Sequence, residues 1–402
     1  MKHSLLPVIV ASSLFVALPA CGQQALDEPV TPVAEAPLAT GWKSVEVVGD
    51  LVRPWGLAFL PDADHSDGLT MLVTEKPGRL RVVENGTLRD SAVSGVPEVF
   101  AGGQGGLMDV VLHPHFDDTR WVYLTYSAGD ARSNFTAMAR GRLTDDLAAL
   151  EDVEVLFEVK ERKRGGQHFG SRILWLPDDT MLLSIGDGGN PPSMVEGKLS
   201  RLHAQDTHAH LGKTLRLDEN GAPAPANPFM SDMDAYGAVF TLGHRNIQGM
   251  DMHPVTRDVW ATEHGARGGD ELNKIVAGSN YGWPEATYSR EYAGPRISDK
   301  TTLEGAVDPV VVWTPCIAPS GLAFYTGDGI SDWNGDLFAG GLVLRQVRRI
   351  KFDENHQPIP GTAGQETLQF RSRIRDVRNG PDGFLYVLTD ETPGQVLRIE
   401  AE

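Results

Sequence analysis

Arg172-Ile173-Leu174-Trp175-Leu176-Pro177, the polar break Asp178-Asp179-Thr180, and Met181-Leu182-Leu183-Ser184-Ile185-Gly186-Asp187 read as two apolar strands joined by a short turn. The same figure recurs along the chain. Trp55-Gly56-Leu57-Ala58-Phe59-Leu60-Pro61 is followed by Met71-Leu72-Val73-Thr74-Glu75, and Gly106 to His113-Pro114 by Trp121-Val122-Tyr123-Leu124-Thr125. Gln248 to Pro254 is followed by Val259-Trp260-Ala261-Thr262-Glu263, and Ser320 to Phe324 by Asp336 to Gly340. Ile374 to Val377, the turn Gly380-Pro381-Asp382-Gly383 and Phe384 to Asp390 close the series.

A single hairpin leaves apolar surface in water, so it must stack on its neighbours. Radial stacking closes a ring that hides the strand edges. The expectation is an all-β fold, a six-bladed β-propeller of four-stranded antiparallel sheets over residues 41–402. By length alone, 402 residues suit two or three domains, but the repeat decides for one. The uneven spacing of the hairpins predicts loops of variable length on the face that carries function.

The amino end reads as an address. Met1-Lys2 is a short basic start, and Leu5 to Pro19 is apolar but too short to span a bilayer comfortably. Leu18-Pro19-Ala20-Cys21 ends it and resembles a bacterial lipobox. Residues 1–20 are then a signal peptide and Cys21 a lipidated first residue. A signal peptide with an incidental cysteine is the alternative. Gly22 points to the periplasmic face of the outer membrane, with membrane contact through the lipid anchor only. Residues 21–40, rich in Pro and Ala, read as a flexible tether. Cys316 is left as the only other thiol, so no internal disulfide is expected, and a buried, inert side chain suits it.

A formal charge of −18 argues against a nucleic-acid partner, which would need a basic face. A neutral substrate is indifferent to that field, whereas an anionic cofactor needs arginines gathered locally. In a propeller, polar residues at the inner strands of different blades converge on the central channel. Gln104, His168 with Asp187, His244-Arg245-Asn246, and Arg373 with Arg375 are the candidates. His168 lies in a Gly-rich loop before one strand of a hairpin and Asp187 ends the other, a spacing that lets an acid fix the tautomer of a general base. The same spacing suits a surface histidine and a turn-forming aspartate. Arg245 beside Asn246 is a donor-rich surface, and Arg373 and Arg375, two apart on a strand, share a face; ion pairing with the many carboxylates is the alternative for both. His203, His208 and His210 lack ligand spacing and read as surface residues.

With these residues quoted, an ordered set of motifs resembles the soluble glucose and aldose dehydrogenases that use pyrroloquinoline quinone (PQQ). The set is Gly103-Gln104-Gly105-Gly106, Gln167-His168 with Arg172, Gly186-Asp187, Gly243 to Gly249, Thr262 to Gly265, Gly269 to Asn273, Asn280 to Pro284, Ala318 to Ser320, and Arg373 to Val377. The resemblance implies that His168 is the base toward the sugar C1 hydroxyl, oriented by Asp187, and that Arg245 polarises the quinone. It implies that Gln104 contacts substrate and cofactor, and that Asn246, Arg373 and Arg375 hold PQQ. It places a calcium ion on the carbonyls of Gly265 and Ala266 and a second on Glu271 and the Tyr281 carbonyl. The substrate would be an aldose, and the electrons would pass to an unidentified periplasmic acceptor. Two positions depart from the family pattern: Val343 stands where a cofactor-binding lysine is common, with Arg345 or Arg267 as candidate replacements, and Ala266 stands where proline is usual. The competing readings are a non-catalytic binding propeller and a calcium-dependent lactonase, which would need carboxylate and Asn ligands at the channel centre; no such set matches.

Overall fold

A computed structural model describes residues 29–61 and 68–402. The signal peptide and Cys21 lie outside them. Six four-stranded antiparallel sheets form the blades of a propeller. The inner strands are Pro54–Phe59, Leu107–Leu112, Ile173–Trp175, Ile247–Met252, Pro319–Phe324 and Ile374–Asn379, for blades one to six in turn. Each is the first strand of a hairpin read from the sequence. The ring closes through the two ends of the chain: Trp42–Leu51 pairs with Gly394–Ala401 and becomes the outer strand of blade six.

The core lies between blades, where apolar faces of adjacent sheets meet. Leu72, Leu80 and Val82 of blade one pack on Leu107, Val110, Val122 and Leu124 of blade two, all buried. Trp260 of blade four meets the edge of Phe324 from blade five at 6.5 Å between ring centres. Each such side chain contributes roughly 1.5–3 kcal/mol by leaving water.

A hydroxyl stitch sets one blade against the next. Thr74 accepts from the Gly56 amide and donates to the Met108 carbonyl of blade two. Thr125 accepts from Asp109 and donates to the Ser171 carbonyl at 2.8 Å; Ser184 accepts from Arg172 and donates to Ile247. Thr262 donates to Ser320 at 2.9 Å. In blade five the corresponding position is Gly340, because a Cβ there would stand 2.5 Å from the Ser320 hydroxyl, and Ser320 itself donates to Ile374. The Gly56 and Asp109 amides drawn to these hydroxyls come from places where the inner strand slips register against its partner, between Pro54 and Leu57 and between Leu107 and Val110. Such bulges re-aim side chains. A slip of the same kind lies between Ile374 and Asp376, and Asp109 and Arg375 both sit at such positions.

The stretch expected to be a free tether is tied down over its described part. The Val33 amide bonds the Val312 carbonyl at 2.7 Å and the Ala39 amide bonds Thr367 at 2.9 Å, so residues 30–39 run along the outer edges of blades four and five. Unpaired edge groups of those sheets recruit the segment despite its prolines. Among the described residues no helix is long and apolar enough to cross a membrane.

Candidate active site

His168 sits in the loop that enters blade three, with its backbone in the left-handed region at φ 48°. That turn is fixed on both sides. The His168 amide donates to Gln104 Oε1 at 2.8 Å, and Gly186 passes so close that a Cβ would lie 2.3 Å from the His168 carbonyl oxygen. His168 Nδ1 meets Asp187 Oδ1 at 2.6 Å, and the other Asp187 oxygen accepts from the Trp283 indole at 2.9 Å. Burial works against the Asp187 carboxylate, but His168, Arg245 and the Gly189 amide hold its pKa below the ordinary carboxylate range. Burial, and then the Arg245 charge, push the His168 pKa down against the pull of Asp187. The imidazole is therefore neutral at neutral pH, with Nδ1 the donor and Nε2 left as an acceptor.

Arg245 and Asn246 lead into the inner strand of blade four. The Arg245 amide donates to the Glu263 carboxylate, and its Nη1 donates to the carbonyls of His264 at 2.9 Å and Gly265 at 2.6 Å. Its Nε and Nη2 are buried without a partner among the described residues. Asn246 accepts from the Gly170 amide at 3.1 Å, while its Nδ2 is a second buried donor without an acceptor. Gln248 links Asn246 to Arg375, whose Nη2 lies 2.8 Å from Asp390 and whose Nε is again unpartnered. Arg373 reaches the same Asp390 at 3.6 Å. The expectation that Arg373 and Arg375 hold two regular positions of one strand is corrected: Arg373 precedes the strand and is half-exposed, while Arg375 lies in a bulge and is buried. Asp390 recruits both all the same.

Gly265 and Ala266 line a cavity of about 740 Å³ together with His264, Cys316 and Val343. Asp270 shapes this turn by accepting from the amides of Gly265 at 2.8 Å and Ala318 at 2.7 Å. Burial raises the Asp270 pKa to about 6 and lowers that of His264, which also feels Arg245, to about 3. Arg267 lines the same cavity as Val343, whereas Arg345 turns away to the Arg371 carbonyl at 3.0 Å. Cys316 is partly buried, and burial pushes its thiol up to about 12. Glu271 and Tyr281 border a void of about 10 Å³ beside Glu263. Burial and the neighbouring Glu263 charge raise the Glu271 pKa to about 8. Among the described residues no three His, Cys, Asp or Glu side chains converge as a metal site, so an ion here would need carbonyl oxygens to supplement a carboxylate such as Glu271.

The structure thus joins Gln104, His168, Asp187, Arg245, Asn246, Arg373 and Arg375 through direct contacts or one intervening residue. His203 and His210 are buried, not at the surface; His203 Nε2 bonds the Val195 carbonyl at 3.0 Å, and His210 packs between Phe157 and Tyr236. Trp283 and Asp270 support the site from within motifs already quoted, but their partners lie too far away in sequence to be seen there.

The glucose/sorbosone dehydrogenase family model matches residues 51–398. The chain is 49% identical over 368 residues to the uncharacterized protein slr1608 of Synechocystis, covering 89% of this chain and 86% of that one. It is 39% identical over 360 residues to the aldose sugar dehydrogenase YliI of Escherichia coli, covering 89% and 92%. The solved PQQ-bound aldose sugar dehydrogenase of Streptomyces coelicolor superposes with a TM-score of 0.70 at 26% identity, covering 92% of this chain and all of that one. Shared blades, an ordered set of site residues and these matches together make the chain a member of the glucose/sorbosone dehydrogenase family.

Proposed function

We propose that the protein oxidises aldose sugars at the C1 hydroxyl to lactones, with PQQ and calcium as cofactors. The observation that carries this reading is the His168–Asp187 pair at 2.6 Å, set in one network with buried donors that have no acceptor of their own. Family membership and the PQQ-bound neighbour support it.

Arg245, Asn246, Arg373 and Arg375 would hold PQQ. A buried N–H without a partner costs roughly 1–3 kcal/mol, and the carboxylates and carbonyls of a tricarboxylate quinone would relieve that cost at Arg245, Asn246 and Arg375. When bound, PQQ supplies the acceptor for the electrons that leave C1. His168 Nε2 takes the hydroxyl proton, and Asp187, fixed by Trp283, keeps the tautomer that leaves Nε2 free. Gln104, bonded to the His168 amide, sets the loop against the sugar.

The carbonyls of Gly265 and Ala266 would bind one calcium ion, which would compete with the Arg245 guanidinium for the Gly265 oxygen. Glu271 and the Tyr281 carbonyl would bind a second, and the metal would replace the proton that burial keeps on Glu271. The electrons pass on to a periplasmic acceptor. Export and lipid anchoring through Cys21 complete the reading, and membrane fractionation of Cys21→Ser tests that part: the variant should leave the membrane fraction. Dye reduction by cofactor-free protein, with PQQ and calcium restored and a panel of aldoses offered, tests the rest. Absence of sugar-dependent reduction overturns it.

A further inference from the structure

Lys76 follows the second strand of blade one and is 4% exposed. Its amide bonds the Arg53 carbonyl and its carbonyl accepts from Leu107, both at 3.1 Å, so the backbone is held between the chain entering blade one and blade two. Nζ donates to the Gly103 carbonyl at 2.8 Å, in the turn that carries Gln104. Among the described residues no carboxylate lies within ion-pair distance of it. The charged groups that face it are Arg375, Arg53 and Arg373, with Asp390 as the acid. Asp390 is already met by Arg375 at 2.8 Å, Arg373 at 3.6 Å and Arg53 at 3.9 Å. Glu391, the other acid nearby, is engaged by the Ser372 hydroxyl and the Arg373 amide. Three guanidiniums thus share the one carboxylate of Asp390 and leave Lys76 without an acid of its own, beside a cavity of about 590 Å³ lined by Arg53, Arg373, Asp390, Glu391 and Thr392, in a chain whose formal charge is −18.

A buried ammonium among guanidiniums is destabilising unless an anion completes the cluster. We infer that Lys76 is an anion-anchoring residue that, with Arg375, meets a carboxylate of the cofactor and links its binding to the Gly103–Gln104 turn. This rests on the cofactor reading above. Burial, then Arg375 and Arg53, bring the Lys76 pKa down to about 7, so above that pH the free protein holds it largely as the neutral amine. An anion beside it favours the ammonium, and the proton comes from solvent. Cofactor binding at pH 8 therefore takes up about one proton at this residue.

Calorimetric titration of the full, cofactor-free chain with PQQ in the presence of calcium, in two buffers of different ionisation enthalpy, reads both affinity and proton uptake. Wild type should take up about one proton. Lys76→Met should bind about ten- to a hundredfold more weakly and lose the uptake. Lys76→Arg should keep the affinity within a few-fold but also lose the uptake, since a guanidinium stays charged. Melting curves verify that the variants fold. If Lys76→Met does not fold, Lys76→Arg decides, and uptake retained in it overturns the inference. Equal affinity and uptake in wild type and Lys76→Met overturn it alone. Failure of wild type to bind PQQ removes the cofactor reading, and this inference with it.

Discussion

Two groups of arginines face the channel, and they are partnered differently. Arg172 of blade three lies 2.9 Å from Asp109 of blade two and 3.1 Å from Asp376 of blade six, and Arg378 lies 2.9 Å from both acids. Blades three and six stand opposite in a ring of six, so this cluster crosses the channel. Its two acids balance its two arginines, and Arg172 also lies over the Trp55 ring at 4.5 Å. In the other group, Asp390 is shared by three guanidiniums, and Arg245 Nε, Arg245 Nη2 and Arg375 Nε are buried without acceptors, against Arg172 Nη2 alone in the first. The first cluster neutralises its charge inside the fold and ties blades together, while the second holds more cations than acids of its own.

The largest effect should come from breaking the balanced group. Asp109→Ala leaves two buried guanidiniums on the single carboxylate of Asp376 and takes away the acceptor of the Ile173 amide, which should cost about 3–5 kcal/mol in denaturant unfolding. A loss below about 1 kcal/mol would erase the contrast between the groups. Within the site, His168→Ala should lower sugar-dependent turnover by about 10² to 10⁴ with little change in the melting curve. Its pKa is depressed and the neutral form acts, so the wild-type rate should fall only as pH drops through a value below the ordinary histidine 6.5, and that limb should vanish in the variant. A wild-type limb above 6.5 would mean that another group is the base. The smallest effect concerns Val343, which borders the same cavity as Gly265 and Ala266. Val343→Lys should tighten PQQ by about tenfold in a binding titration, and no change would mean that the cavity already has its cation.

The inner hairpins were legible because each is a run of apolar residues broken by a turn, and those runs are what neighbouring blades bury. Outer strands gave less signal. Thr87–Leu88 is too short to show a period, and Leu150–Glu158 carries acids on an exposed edge. Trp42–Leu51 falls inside the 41–402 range of the expected propeller, but its place in blade six is not visible there, since it depends on a partner at the far end of the chain. The His168–Asp187 pair was readable from one hairpin, whereas Trp283 reaches Asp187 from blade four's long loop and no local spacing announces it. Lys76 had no motif at all. Its isolation from carboxylates is a property of three converging segments. The hydroxyls at Thr74, Thr125, Ser184 and Thr262 recur at one point of successive second strands, a signal present in the sequence whose meaning lies in the next blade.

The seam in blade six sets the order of events during synthesis. Trp42–Leu51 leaves the ribosome about 340 residues before its partner and lacks that pairing until Gly394–Ala401 has been made. A nascent chain therefore exposes an open sheet edge, and the ring cannot shut one blade at a time. Blades one to five each draw their four strands from one continuous stretch, so only blade six and the closure of the ring depend on the meeting of Trp42–Leu51 with Gly394–Ala401.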